Sequence, residues 1–345
     1  MRPATPAELA RWDDLVSANP DGGQVLQTRA WGEFKSRHGW RPSYRLHETS
    51  VGCVAILFLT RRIPGIGPLW YSPKGPGVTD PAALLELLSH RGDLGGAFAV
   101  KVEPEIEAGN DLSAWPGAGL VKAPRDVQIS RATIVMDLRP EEKVILASFK
   151  PKCRYNIRLA SRRGVRVRPM PMGDAEVDIM YRLMLATQGR AGFTLRHPKY
   201  FSDYWRRQQE LGQGQLFFAF HGDEILAGAF VTFLGAKAWY KDGGSVKRHS
   251  ELMAPHLLQW EVMRWLRARG TELYDMVAVP RPAEMAPEHP LHGLYRFKSG
   301  FSERVTEFVG TWDLPLDQRR YRLWNRVGER AAHQWTLRAH RDLFY

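Results

Sequence analysis

Five clusters of residues in this chain have the types and spacing to do chemistry. Gln27-Thr28-Arg29-Ala30-Trp31-Gly32-Glu33-Phe34-Lys35 brings a lysine to the end of a short helical stretch. Trp70-Tyr71-Ser72-Pro73-Lys74-Gly75-Pro76 sets a tyrosine and a lysine around a glycine turn, with Asp80 just beyond it. From Lys150 to Arg168 there are eight basic residues and no acidic one. Lys150, Arg154, Arg158 and Arg162 recur there every fourth residue as one helical stripe, with Lys152 beside them. A one-sign stripe lacks the Glu–Lys pairs that steady an ordinary solvated helix, so a phosphate-rich ligand is its natural partner. The fourth cluster runs from Tyr240 through Ser245 and Met253–Glu261 to Tyr274-Asp275. The fifth, Arg296-Phe297-Lys298-Ser299-Gly300-Phe301, holds a lysine among aromatics and precedes Glu307-Phe308-Val309-Gly310. Tyr71, Lys74 and Asp80 border the first glycine turn and Tyr240 a second. Tyrosine hydroxyls and a carboxylate so placed can orient an amine and take up its proton.

Other chemistry is excluded. The chain has no G-x-S-x-G elbow, no G-x-x-x-x-G-K-[ST] phosphate loop, no dinucleotide fingerprint and no H-E-x-x-H. His289-Pro290-Leu291-His292 lacks a third ligand, so no metal is expected. Arg62-Ile63-Pro64-Gly65-Ile66-Gly67 has the R-x-x-G-x-G shape of a pyrophosphate cradle. Pro64 removes one N–H donor, however, and the segment leads into a strand where a cradle needs a helix N-terminus. It reads as a turn, and no cofactor is expected.

The elements that position these residues follow a repeated order. Thr5-Pro6-Ala7-Glu8 is a capping box opening a helix to about Ser17, and a short helix carries Trp31, Phe34 and Lys35. Strands are predicted at Tyr44–His47, Val54–Thr60 and Leu69–Tyr71, then a helix from Pro81 and a strand at Ala97–Val102. The order recurs as strands Leu216–Phe220, Ile225–Phe233 and Ala238–Tyr240. The glycine turn Asp242-Gly243-Gly244-Ser245 follows, then a helix from Leu252 to Arg269 and a strand Glu272–Asp275. Leu258, Val262, Trp265 and Leu266 share one face of that helix, the spacing of a helix lying on a sheet. Between the two units Glu141–Phe149 is helical and Pro151 restarts a helix. After Gly310 the tail from Leu316 to Arg341 reads as one basic amphipathic helix with Tyr321, Trp324, Val327 and Ala331 on its apolar side. The expected fold is α/β, a duplicated domain. Residues 1–130 with 311–345 make the first domain and 131–310 the second.

In this order the five clusters resemble the FemABX family of non-ribosomal peptidyltransferases, from about Gln27 to Leu314. The resemblance implies tandem GNAT-like domains, the acyl-CoA N-acyltransferase fold, in agreement with the duplicated pattern. It implies an aminoacyl-tRNA donor of Gly, Ala or Ser and a peptidoglycan-precursor acceptor, either lipid II or UDP-MurNAc-pentapeptide. No long heptad insert lies between Arg182 and Leu216, so the chain is similar to compact members without a coiled-coil arm. By motif match Lys298 meets the donor's 3′ phosphates or the developing oxyanion, and Phe297 stacks on its terminal adenine. Lys35 with Arg196 or Arg190 holds the acceptor diphosphate. Tyr71, Lys74 and Tyr240 orient the acceptor peptide, and Asp80 takes the amine proton. Lys150, Lys152, Arg154, Arg158 and Arg162 hold the tRNA backbone. Two positions depart from the family pattern: Met276-Val277-Ala278 stands where glycines are usual after Tyr274-Asp275, and Asp242 stands where an aromatic is usual.

Composition fits this reading. Forty-nine Lys+Arg against 37 Asp+Glu give +12, a surface that attracts polyanions. Val54–Leu59 is the longest apolar run, well short of the ~20 residues that span a bilayer, and the N-terminus lacks a secretory pattern. Cys53 and Cys153 have no metal or redox spacing. A cytoplasmic protein is expected, with peripheral contact at the inner membrane face. Two other function classes stay open on sequence: an N-acyltransferase using another amine acceptor or an acyl-CoA donor, and a non-catalytic tRNA or membrane-surface binder.

Overall fold

In the computed structural model, residues 1–49, 52–92, 94–128, 131–191, 195–340 and 342–345 are described, without the side chains at 49, 189–191, 339 and 340. The chain forms two compact units, Met1–Arg131 with Phe308–Tyr345, and Ala132–Glu307.

The first unit is built on a sheet in the order Arg2–Pro3, Arg41–Thr49, Gly52–Ile63, Gly67–Ser72, Ala99–Val102, Trp312–Pro315, Val121–Lys122. All neighbours are antiparallel except Gly67–Ser72 and Ala99–Val102, which the helix Pro81–Ser89 joins as a parallel pair. The second unit repeats this plan. The strands Gly214–His221, Glu224–Leu234 and Lys237–Ser245 run antiparallel, and the helix Ala254–Ala268 crosses to Leu273–Asp275, parallel to Lys237–Ser245. In each unit a strand from a distant part of the chain closes the far side of the parallel pair. Trp312–Pro315 pairs with Ala99–Val102, and Val135–Asp137 pairs with Leu273–Asp275. The fold is a tandem pair of GNAT-like α/β domains.

Local sequence explains the elements. The capping box forms as read, with Thr5 Oγ1 accepting from Glu8 N and the Glu8 carboxylate accepting from Thr5 N. The expected single helix breaks at Arg11 (φ −115°, ψ 27°) into Pro6–Ala10 and Trp12–Ser17, which lets Trp12 and Val16 bury. Leu258, Val262 and Leu266 are buried on the helix Ala254–Ala268, and Trp265 packs edge-on against Phe217 at 5.2 Å. Ile66 N closes onto Ile63 O in a hairpin between Gly52–Ile63 and Gly67–Ser72, so the R-x-x-G-x-G segment opens no helix.

Two expectations are corrected. Asp242-Gly243-Gly244-Ser245 is not a turn but the end of a strand, paired with Ala227–Phe230. Its glycines serve close packing: a Cβ on Gly244 would run into the Leu183 backbone of the helix Asp174–Ala191, and one on Gly243 into the Tyr240 hydroxyl. The tail is also not one regular helix. A π-helical turn, Trp324–Gly328, separates Gln318–Leu323 from Glu329–His340. The wider turn carries Val327, 60% exposed, and Ala331 away from the buried side that Tyr321 and Trp324 occupy.

Candidate functional site

In the second unit, two sequence-predicted residues come together at the mouth of the parallel strand pair. Lys298 is the last residue of the helix His292–Lys298 and is 4% exposed. Its ammonium donates to Val277 O at 2.6 Å and Ala278 O at 3.0 Å, and lies 5.8 Å from the centre of the Tyr240 ring. Those carbonyls are available because Val277 and Ala278 adopt left-handed φ values of 56° and 32°. The turn is braced by Asp275, which accepts from Val277 N at 2.6 Å and from Thr133 Oγ1. Burial lowers the Lys298 pKa to about 7 against the pull of Asp275 in the other direction, so near neutrality this amine exchanges its proton readily. Burial raises the Tyr240 hydroxyl, which stays a neutral donor. A buried amine with this pKa can donate to a developing oxyanion, as the residue types suggested.

The first unit holds a second buried polar cluster, centred on a residue the sequence reading missed. The Tyr71 hydroxyl donates to the Glu103 carboxylate and accepts from Gln128 Nε2 at 3.1 Å. Glu103, 4% exposed, also accepts from Thr311 Oγ1 at 2.7 Å and from the backbone N–H groups of Val127 and Gln128 at 3.2 and 2.9 Å. Two strand positions away on the same face, Lys101 pairs with Asp313 at 2.8 Å, and Tyr321 donates to that carboxylate at 2.9 Å. The signal was in the sequence: Ala99-Val100-Lys101-Val102-Glu103 alternates charge with valine inside a buried strand. A charge on an inward face needs a partner. The Pro73–Gly77 turn is fastened to the same strand by Glu103 N donating to Gly75 O at 2.8 Å. Gln27 Nε2 donates to Pro73 O at 2.6 Å, and a Cβ on Gly75 would meet that amide at 2.6 Å.

The other predicted residues are distributed as follows. Lys74 is buried with φ 48°, its amine 5.0 Å from the Phe308 ring centre. Lys35 is 2% exposed, 5.6 Å over the Trp31 ring. Arg196, in the second unit, lies 4.4 Å over Tyr200. The Arg190 side chain lies outside the described residues. Phe297 is half-buried edge-on to His256 and Phe301 at 5.1 and 5.5 Å, so its ring already has packing partners. Asp80 is exposed, and its carboxylate accepts from Ala83 N at 3.1 Å as the N-cap of the helix Pro81–Ser89. The buried carboxylate beside Tyr71 is Glu103.

The basic stripe is divided. Lys150 pairs with Glu303 at 2.6 Å, and Arg154 donates to Ala147 O at 3.0 Å and to Phe149 O, closing the end of the helix Glu142–Ser148. The Arg154 bonds serve the fold, whereas the Lys150 pair lies in solvent. Lys152, Arg158 and Arg162 are exposed on the helix Pro151–Arg162, with Tyr155, 48% exposed, under the Lys152 amine at 4.8 Å. Cys153 is buried and its thiol is pushed up to about 12, which keeps it protonated. His289 Nδ1 accepts from Leu291 N at 3.1 Å within its own turn. In the first unit His47, Glu86 and His90 offer one ligand atom each, all within 4.8 Å of one another, a grouping no sequence spacing signals.

Against known proteins, the FemAB family model matches residues 115–210 and 203–328. Lipid II:glycine glycyltransferase of Staphylococcus haemolyticus (strain JCSC1435) is 23% identical over 402 residues, covering 93% of this chain and 94% of that protein. The protein of the same name from Staphylococcus aureus (strain MRSA252) is 23% identical over 408 residues, with the same coverage. Among solved structures, FemX matches with a TM-score of 0.81 at 21% identity, over 94% of this chain and 100% of that one. The structure of L-PGS from Bacillus licheniformis matches more distantly, with a TM-score of 0.50 at 16% identity over 95% of this chain and 98% of its own. A family model that spans both the basic helix and the Lys298 segment identifies this chain as a member of the FemAB family.

Proposed function

We propose that this chain transfers a small aminoacyl group, glycyl before alanyl or seryl, from aminoacyl-tRNA to the side-chain amine of a peptidoglycan-precursor stem peptide. The observation that carries the reading is the buried Lys298 amine, held by two left-handed carbonyls beside Tyr240 in the motif the family shares. Match over 93% of the chain to proteins named lipid II:glycine glycyltransferase supports glycine as donor and a lipid-linked acceptor.

The reaction is aminolysis. The neutral acceptor nitrogen attacks the ester carbonyl carbon, a C–N bond forms, and negative charge collects on the carbonyl oxygen. The C–O bond to the terminal ribose then breaks, and the amine's proton ends on the released hydroxyl. The ester is already activated, so no protein nucleophile is needed, and the task is positioning with charge stabilisation. Lys298 in its cationic form donates to the oxyanion. In the first unit, Tyr71 and Lys74 orient the acceptor peptide, and Lys35 supplies a cation for its diphosphate. The exposed Lys152, Tyr155, Arg158 and Arg162 favour an RNA donor, since cations track phosphates and an aromatic stacks on an unpaired base.

The deciding experiment is transfer of radiolabelled glycine, alanine and serine from charged tRNA to lipid II and to UDP-MurNAc-pentapeptide, with Lys298→Ala alongside. Labelled stem peptide from wild type and little from the variant is the expected result. Transfer from acyl-CoA alone, or none to either precursor, defeats the reading.

A further inference from the structure

The C-terminal helical run presents a surface that the reaction above does not use. Between Gln318 and His340 there are six arginines and one acidic residue. One side of the run is buried in the first unit, through Tyr321, Trp324 and Thr336. Away from these the run exposes large apolar side chains: Leu323 at 51%, Val327 at 60% and Trp335 at 70%. The π-helical turn Trp324–Gly328 sets the pattern. A regular α-helix drifts off a four-residue spacing, and the wider π turn delays that drift. Leu323, Val327, Ala331 and Trp335 therefore follow one another along the exposed side, and Arg322, Arg326 and Arg330, also exposed, run parallel to them.

We propose that this face is a membrane-docking surface that lies in the interface of an anionic bilayer. The Leu323–Val327–Ala331–Trp335 stripe enters the headgroup and acyl boundary, and Arg322, Arg326 and Arg330 meet the lipid phosphates. A tryptophan left 70% exposed beside arginines is the residue pairing that suits a boundary wet on one side and apolar on the other. The alternatives fit less well. A second copy of the chain would bring the same arginines against these. A nucleic acid would satisfy the arginines and leave the apolar stripe in water. Only a surface offering both anions and hydrocarbon complements the whole face.

The test is flotation of the purified full chain with phosphatidylcholine vesicles containing or lacking phosphatidylglycerol. Two triple variants are compared, Leu323→Ser/Val327→Ser/Trp335→Ser and Arg322→Gln/Arg326→Gln/Arg330→Gln. All six positions are solvent-exposed, and thermal melting checks that the fold is kept. Wild type should float with the anionic vesicles and lose binding with added salt. The arginine variant should bind about a hundred-fold more weakly, since each of the three arginines near an anionic surface contributes about a factor of five. Fluorescence quenching by brominated lipid should fall in Trp335→Phe. Binding that is absent, that is equal on neutral vesicles, or that both folded variants retain overturns the proposal. So does a wild-type dimer in sedimentation that the serine variant dissolves, which would give the face to a second copy. Loss of RNA binding in the arginine variant with unchanged flotation would likewise assign the face to nucleic acid. None of these outcomes depends on amino-acid transfer, so the membrane surface and the reaction stand or fall separately.

Discussion

The Val277 carbonyl accepts from the Lys298 ammonium at 2.6 Å while Val277 itself holds a left-handed backbone with φ 56°. A residue with a Cβ costs on the order of 1–2 kcal/mol in that region, and a β-branched one is more crowded still. Ala278 follows with φ 32°, so two strained residues in succession turn their carbonyls onto one amine. Glycine adopts this conformation freely, so Val277 and Ala278 hold it at a cost that the two hydrogen bonds to Lys298 help to offset.

Replacing Val277 with glycine should therefore be nearly neutral for stability. The relief of strain, about 1–2 kcal/mol, is offset by the backbone entropy of glycine, about 0.5–1 kcal/mol, and by the loss of a half-buried side chain. Val279→Gly, at a position 2% exposed and without positive φ, should cost about 3 kcal/mol. Urea unfolding of the two variants checks the difference. Equal losses would show that the turn at Val277 is not strained.

Lys298 predicts a pH dependence. Its pKa is lowered to about 7 by burial, so the cation that stabilises an oxyanion is present below that pH and lost above it. The acceptor, an alkyl amine titrating at ~10.4, gains its neutral form over the same range. The pH profile of kcat/KM for transfer should therefore rise up to about pH 7 and level off above it, as loss of the Lys298 cation offsets the gain in free amine. Lys298→Arg keeps its charge throughout, and whatever activity it retains should go on rising past pH 7. A break at the same pH in Lys298→Arg would assign it to another group.

The fold was legible because periodicity and punctuation marked it. The Thr5–Glu8 capping box, the face Leu258–Val262–Leu266 and the repeated order of hairpin, third strand, helix and parallel strand are all local signals. What was missed depends on groups far apart in sequence. Glu103 gains its role from Thr311, 208 positions away, and from Gln128. No window around Glu103 contains those partners. Asp80 is the opposite case: a carboxylate before a proline-led helix is an N-cap, and that use can be read from the local sequence alone. The π turn in the tail has no residue signature at all, and it decided which side of that helix faces water.

Two buried carboxylates among the described residues of the first unit, Asp313 and Glu103, separate stability from activity. Lys101 and Asp313 are each 1% exposed, and Lys101→Met leaves Asp313 with Tyr321 as its remaining side-chain partner. An uncompensated buried charge costs about 3–5 kcal/mol, and Lys101→Met/Asp313→Leu should recover most of that loss because both charges go together. Glu103→Gln and Tyr71→Phe break the same hydrogen bond. In the transfer assay each should lower kcat/KM, and the double variant should lose little more than the worse single one. Additive losses would mean that Tyr71 and Glu103 act independently.

Salt dependence tests the basic helix. Lys152, Arg158 and Arg162 are exposed, whereas Lys150 and Arg154 are engaged with Glu303 and with the carbonyls of Ala147 and Phe149. Phosphate contacts release counterions, so each one adds roughly 0.7–0.9 to the slope of log affinity against log salt. Arg158→Gln/Arg162→Gln should thus lower that slope for tRNA by about 1.5, with melting unchanged because both side chains lie in solvent. Arg154→Gln should do the reverse, leaving the slope in place and destabilising the fold by about 1–3 kcal/mol, since two carbonyls lose a charged donor. If Arg154→Gln shifts the slope as much as the exposed pair, the helix meets RNA along its whole stripe, and the structural use of Arg154 is given up when the ligand binds.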